Sequence, residues 1–435
     1  MNTNPVDESR RFLFVLFEGG GNVPPILNLA QGLIQRGHSV RVISDPINEA
    51  EVRLAGCEFT PYQRTPHRTD KFASSTLIKD YEEKDPINEL KVVIDYFSSS
   101  ALACAQDILE EIDARPVDLI VVHEIIFGAY FAAEKRGIPA VMVVPGIYTF
   151  PPAPGIPPPG MMPMNGLFGR VRDRIGSLLF QRVIGDVTPR LNAARHAHGL
   201  PSLPEPAQFF NRIPQILVMT SPAFDFNAQL GANVRYVGPV LDDPAWVGEW
   251  QSPWPIDDPR PLIVVSFGTT YQNQEPLIKK AINAMDGMPV RGLVTLGPAM
   301  DMNQFKVPSN VAICQSAPHQ KIFPSTSGVI THAGHGTVIR ALASGVPLIC
   351  IPIGRDQPGN AARVVYHGAG LRLPAKASSV DIRRAIQKVI YEPKYRENAR
   401  RLGNIISEEA RNATGVQELE RAAKSKLSIM EKQKG

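Results

Sequence analysis

The stretch THAGHGTVIRALASGVPLICIPIGRDQPGNAAR, residues 331–363, decides the fold. Residues 328–331 read as a strand that enters the loop His332-Ala333-Gly334-His335-Gly336-Thr337, and a helix is expected from about Thr337 to Ser344. A second strand, 347–351, ends in a loop that carries Arg355, Asp356, Gln357 and Asn360. Strand, glycine turn, helix and strand in that order make the repeating unit of a parallel α/β sheet. In such sheets the loops at the carboxyl ends of the strands converge on one crevice. A helix N-terminus offers unpaired N–H groups and a partial positive charge, and glycines let an anion come close to that backbone. Thr337 adds a hydroxyl and His332 an imidazole at the same edge, so the stretch reads as a diphosphate cradle without a Walker lysine. Asp356 and Gln357 carry the groups that bond sugar hydroxyls.

The same alternation extends outward in both directions. In the second half, 262–267 and 293–296 read as strands, Val311–Cys314 as another, and 275–284 as a helix. In the first half, 12–17 (FLFVLF) runs as a strand into Gly19-Gly20-Gly21, a helix covers 25–36, Gly37 stops it, and Ser39–Ser44 is the next strand. Residues 119–122 and Ala140–Val144 read as strands around the helix Phe127–Arg136, which Gly137 stops. The expected fold class is therefore α/β, with two halves of similar plan and parallel sheets. Residues 241–261 lie in a run rich in Pro, Asp and Trp that suits a linker. The expected division is 1–240, linker 241–261, 262–405, and a C-terminal helix with a basic tail over 406–435. A Pro-, Met- and Gly-rich stretch, 145–166, reads equally as a surface loop or as an adaptable apolar lid, with Phe150, Met161, Met162, Met164 and Phe168 nearby.

The chain has 435 residues, 43% hydrophobic and 20% charged, enough for two globular cores. The net charge is +4 and spread out, so nucleic acid is not implied. Cys57, Cys104, Cys314 and Cys350 form no CxxC pair and read as small buried residues of a reducing compartment. The apolar run 12–17 is too short for a signal-peptide core or a membrane span, and a cytoplasmic protein is expected. Gly19–Gly21 lack the GxGxxG spacing of a dinucleotide oxidoreductase.

The HxGxGT loop followed by GxPxxxxPxGRDQPGNA resembles the nucleotide-sugar glycosyltransferases that include the macrolide and antibiotic glycosyltransferases and the plant UDP-glycosyltransferases. The resemblance spans most of the chain and is most specific over 262–373. VVSFGT (264–269) is similar to that family's first donor-domain strand and loop, and SAPHQKIFP (316–324) to its nucleobase segment. The resemblance implies the GT-B fold, two facing Rossmann-like domains with acceptor in the first and donor in the second. It assigns Gly268, Thr269, His332, Gly334, Gly336 and Thr337 to the diphosphate, Asp356 and Gln357 to the sugar, and Pro318 and His319 to the base. Plant members carry a ribose-binding glutamate where this chain has Arg340, so ribose contacts do not transfer. The implied reaction is a metal-independent, inverting transfer of a hexose from a UDP- or dTDP-sugar, a co-substrate rather than a cofactor, to an apolar small molecule.

The first half departs from the family at the catalytic base. PILNLA (25–30) and RGHSV (36–40) look like the family's opening helix and second strand. The family's Gly-His pair, three residues before that proline, is Gly21 and Asn22 here, and an amide takes no proton near neutral pH. Asn22 also reads as a helix N-cap. The family's strand-end aspartate is replaced in DLIVVHE (118–124) by His123, with Glu124 beside it. One expectation is a relocated base: His123 deprotonates the acceptor, Asn22 positions it or the substrate, and Glu124 orients His123 or is itself the base. Alternatively His123 is a satisfied strand-end histidine, or the acceptor is already ionised and needs little base. C-, N- or ester-forming transfer and a pseudoenzyme that activates a partner also remain open.

Overall fold

A computed structural model describes residues 9–83, 85–149, 152–203 and 208–425. Phe150 and the tail after Ser425 lie outside the described residues. The first half builds a seven-stranded sheet from β1 (Arg11–Val15), β2 (Ser39–Ser44), β3 (Glu58–Pro61), β4 (Leu119–His123), β5 (Ala140–Val144), β6 (Gln215–Val218) and β7 (Val234–Tyr236). Their order is β3-β2-β1-β4-β5-β6-β7, and the paired strands run parallel. The second half builds a six-stranded sheet from β8 (Leu262–Ser266), β9 (Arg291–Thr295), β10 (Val311–Cys314), β11 (Thr326–Thr331), β12 (Leu348–Cys350) and β13 (Gly370–Arg372). Its order is β10-β9-β8-β11-β12-β13, again parallel. Both are α/β sheets of the expected class.

Central strands read as unbroken apolar runs because helices cover both faces. LIVVH in β4, AVMVV in β5 and LIVVS in β8 are buried at every position. Each face of the sheets has its own core: Leu13, Ile120 and Met142 pack on one side of the first sheet, Phe12, Val121 and Val141 on the other. Gly37 and Gly137 adopt φ of +88° and +62° where their helices stop, a conformation costly for residues with a Cβ.

The chain ends by crossing back. After the helices Ser379–Tyr391 and Pro393–Arg411, the helix Gly415–Lys424 lies on the first half's helix Val23–Gln35, with Leu419 fully buried beside Leu33. Glu420 pairs there with Arg36 at 2.6 Å and His38 at 2.9 Å.

Ion pairs at Asp80 and Asp225 also join the halves. Asp80 accepts from Arg355 Nε and Nη2 at 2.6 and 2.9 Å. Asp225 pairs with Arg363 at 2.6 Å, both side chains almost wholly out of water. Tyr236 donates its hydroxyl to the same carboxylate at 2.9 Å, and the guanidinium lies 4.1 Å from the Phe226 ring centre. Removing one partner of a buried pair strands the other's charge, at a cost of about 3–5 kcal/mol. Arg363→Ala is therefore expected to lower the thermal midpoint sharply, whereas Arg11→Ala, which breaks a solvent-exposed pair with Asp118, should leave it nearly unchanged. Calorimetric melting of the two variants checks this.

Candidate active site

The carboxyl ends of both sheets face one cleft of about 1100 Å³, its solvent mouth included. The turn after β1 supplies Gly19, Gly20, Gly21 and Asn22; the second half supplies Gly268, Thr269, His332, Gly334, Gly336, Thr337, Asp356 and Gln357. The halves touch at Gly20, where φ is +68° and a Cβ would lie 2.5 Å from Thr270 Cγ2 and 2.7 Å from Thr269 Oγ1. A bare backbone is the condition for that approach.

His332 sits at the floor between two glycines. A Cβ at Gly268 would lie 2.8 Å, and one at Gly334 2.6 Å, from His332 Nε2. The ring hydrogen-bonds the Ser266 backbone, and burial holds its pKa down at about 4, so it is neutral near pH 7. The helix at this point is His335–Ala343, starting two residues before the expected Thr337, with Gly334 as its N-cap. Its first internal bond runs from Val338 N to Gly334 O at 3.1 Å, which leaves the His335, Gly336 and Thr337 N–H groups without helical partners beside His332. His335 turns away and meets Thr220 Oγ1 of the first half at 2.8 Å, tying the cradle helix to the opposite sheet.

The loop after β12 is held in detail. Asp356 caps the helix Gln357–Tyr366 without a side-chain cap bond and accepts from Asn360 Nδ2 at 2.8 Å. Its carboxyl pKa is raised, chiefly by burial. Gln357, expected at the sugar, lines the cleft with its amide bonded within the protein. Its Oε1 accepts from the Ile353 and Gly354 N–H groups at 2.8 and 3.2 Å, and its Nε2 donates to Gln272 at 2.7 Å. These bonds shape the loop.

Pro318 and His319 open the short helix His319–Ile322, and the imidazole stacks on Phe323 at 4.3 Å. His319 lines the cleft; Pro318 lies behind it, outside the lining. The residues expected to be a spacer take part here. Asp243 accepts from the His319 and Gln320 N–H groups at 3.1 and 3.0 Å, and Trp246 and Val247 line the cleft. Arg340 explains its departure from the plant pattern: it donates to the carbonyls of Leu241 and Asp242 at 3.1 and 2.6 Å, pinning that segment over the cradle. The Asp242-Asp243 pair was the available sequence signal for this clamp.

The three first-half candidates separate. Asn22 stands at the N-cap of Val23–Gln35 with helical φ and ψ of −85° and −25°, and its side chain makes no capping bond. The cap expectation is corrected: the backbone turns into the helix one residue early, and Asn22 lines the cleft instead. His123 is 1% exposed, lies flat on Phe17 at 4.5 Å, and neither ring nitrogen has a partner. Burial drives its pKa down to about 3, and it, like Glu124, is absent from the cleft lining. Neither a satisfied histidine nor one poised at the cleft describes it. Glu124 follows the strand with φ of +38°, its backbone bonded to Val143 O and to the Tyr130 hydroxyl. Burial, with the nearby Asp356 carboxylate, raises its pKa to about 8. Strain of this kind at a strand end collects at functional sites.

Of the two readings of 145–166, the surface loop describes its methionines, although Pro145 at its start lines the cleft. Met161, Met162, Met164 and Phe168 are all exposed and none lines it. Arg372 Nη1 binds the Gly160 carbonyl at 2.6 Å and fixes the loop's base against the second half. All four cysteines are free, and Cys314 is the least buried. Among the described residues no helix is long and apolar enough to cross a membrane.

A family model described as UDP-glucoronosyl and UDP-glucosyl transferase matches residues 251–415. The 4'-demethylrebeccamycin synthase of Lentzea aerocolonigenes is 30% identical over 409 residues, 90% of this chain and 94% of that protein. The solved structure of the calicheamicin glycosyltransferase aligns with a TM-score of 0.75 at 22% identity, over 96% of this chain and 98% of that one. A glycosyltransferase solved in complex with dTDP aligns with a TM-score of 0.67 at 19% identity, over 95% and 99% of the two chains.

Proposed function

The chain belongs to the family of UDP-glucoronosyl and UDP-glucosyl transferases and is a glycosyltransferase of the GT-B fold; from that premise we propose that it transfers a hexose from a UDP- or dTDP-sugar, with inversion, to a hydroxyl of an apolar natural product. The observation that carries the proposal is His332 wedged between Gly268 and Gly334 at the start of the helix His335–Ala343. A diphosphate in that position meets three unpartnered N–H groups and a positive helix end. Its negative charge favours the imidazolium, which turns the second ring nitrogen of His332 into a donor. The leaving diphosphate gains charge in the transition state, so these donors act most strongly there. Asp356 accepts from a sugar hydroxyl, and Gln357 holds the loop that presents it. The rebeccamycin relative and the calicheamicin-related structure support a natural-product acceptor.

The step balances with one proton acceptor. The acceptor oxygen bonds to the anomeric carbon as the bond to the diphosphate oxygen breaks, and the acceptor's proton passes to a carboxylate. Glu124 is the base in this reading, and Asn22, beyond the end of the neighbouring strand, positions the acceptor. His123, neutral and buried, supports the strand end and takes no proton.

UDP-glucose and dTDP-glucose offered with aromatic polyketides, macrolides and phenols test the proposal, with products read by mass and anomeric configuration by proton coupling. A β-linked product from an α-linked donor is expected. An α-linked product overturns inversion; donor hydrolysis without transfer to any acceptor overturns the acceptor class; and failure of both UDP and dTDP to bind in calorimetry overturns the donor assignment.

A further inference from the structure

The helix Gly166–Ala197 buries apolar side chains along its second half and exposes a separate apolar stripe along its first. Val183, Ile184, Val187 and Leu191 are buried in the first core. On the opposite side, Leu167, Val171, Ile175 and Leu178 form a stripe at spacings of four, four and three, from 50% to 68% exposed. Phe168, 84% exposed, and the three loop methionines extend it. A contiguous exposed patch of this kind marks an interaction surface.

Charge selects the occupant. Arg170, Arg174 and Arg182 are exposed around the stripe. Asp173 is the one acidic residue in 161–182, and Arg172 pairs with it at 2.7 Å. A second copy packed on this stripe would set arginines against arginines with no acid to answer them. An anionic lipid surface answers both features, apolar side chains entering the acyl boundary and arginines meeting headgroups. We propose that this helix face, with Met161, Met162 and Met164, seats the protein on an anionic membrane surface. The patch adjoins the loop whose Gly160 carbonyl Arg372 of the second half holds. The surface itself does not depend on the transferase reading.

The test is flotation of the full chain with vesicles of phosphatidylcholine alone and with phosphatidylglycerol added, with light scattering in parallel. Association with the anionic vesicles, weakened by salt, is expected. Arg170→Gln/Arg174→Gln/Arg182→Gln should weaken it about a hundredfold at low salt, and Leu167→Ser/Ile175→Ser/Leu178→Ser should abolish it. Both variants should keep the wild-type melting midpoint and transfer to a water-soluble acceptor. The proposal is overturned if the wild type ignores anionic vesicles, binds neutral ones equally well, or keeps binding in both variants. A wild-type dimer that the serine variant dissolves, without vesicle binding, assigns the face to a second copy and also overturns it. Because flotation needs no turnover, its failure is distinct from a failure of the transferase reading.

Discussion

Glu124→Gln is expected to lower kcat/KM for a weakly acidic hydroxyl acceptor by about a thousandfold, the scale of a lost general base. His123→Phe should stay close to wild type, because His123 already lies as a flat ring on Phe17 with no polar partner. The pH profile separates the two residues further. Burial, then Asp356, holds the Glu124 carboxyl at about 8, so the ionised base is the minor form at pH 7 and kcat/KM should climb with pH until about 8. A His123 base with a pKa of about 3 would give no such rise. Stability supplies an independent readout. The folded-state pKa of Glu124 lies above its usual value of 4.5, so its contribution is intact below 4.5 and is lost as pH rises toward 8. Glutamine carries no such loss. The variant should therefore melt higher than wild type near pH 8, where it is the poorer enzyme, and match it in stability at acid pH, where the wild-type base is protonated as well. Full activity in Glu124→Gln with a weakly acidic acceptor would remove Glu124 from the mechanism; activity that survives with acidic phenols alone would mean that the acceptor's own ionisation replaces the base.

The sequence placed these residues at one strand end but could not rank them. Side chains alternate along a strand, so His123 and Glu124 had to diverge, yet which stayed partly exposed near Asp356 depended on a positive φ at Glu124 that no sequence pattern announces. Where burial on both faces leaves a long apolar run, elements were legible to the residue: Ser39–Ser44, Ala140–Val144 and Phe127–Arg136 stand as read. The three-residue strands Val234–Tyr236 and Gly370–Arg372 are too short to show a period. The 32-residue helix Gly166–Ala197 was hidden by its glycines, Pro189 and an apolar stripe on its solvent side. The turn into the helix His335–Ala343 was legible because glycine spacing carries it. Contacts between the halves were not: Arg355 and Asp80 are 275 residues apart, and nothing near either names the other.

Gly334→Ala should cost about a hundredfold in kcat, close to the loss in His332→Ala, the range seen when one donor to a developing anion is removed. The backbone tolerates the change, since Gly334 has φ of −62° and ψ of 138°, ordinary extended values. The side chain does not: a Cβ would lie 2.6 Å from His332 Nε2 and 2.8 Å from Cε1, inside van der Waals contact. The imidazole must rotate out of the slot, and the first turn of the helix then faces the leaving group alone. Gly268→Ala meets the same ring at 2.8 Å but also places alanine at φ of +86°, so its loss mixes strain with displacement. Gly334→Ala is the cleaner probe. If His332 acts through its position, the double variant Gly334→Ala/His332→Ala should be little worse than either single one, because both remove the same interaction. UDP affinity, read by calorimetry, should fall much less than kcat, since the donors matter most where charge develops. Equal losses in affinity and kcat/KM with kcat unchanged would instead make His332 a ground-state phosphate contact. An unaltered kcat in both single variants would show that the departing diphosphate does not sit between Gly268 and Gly334 at all.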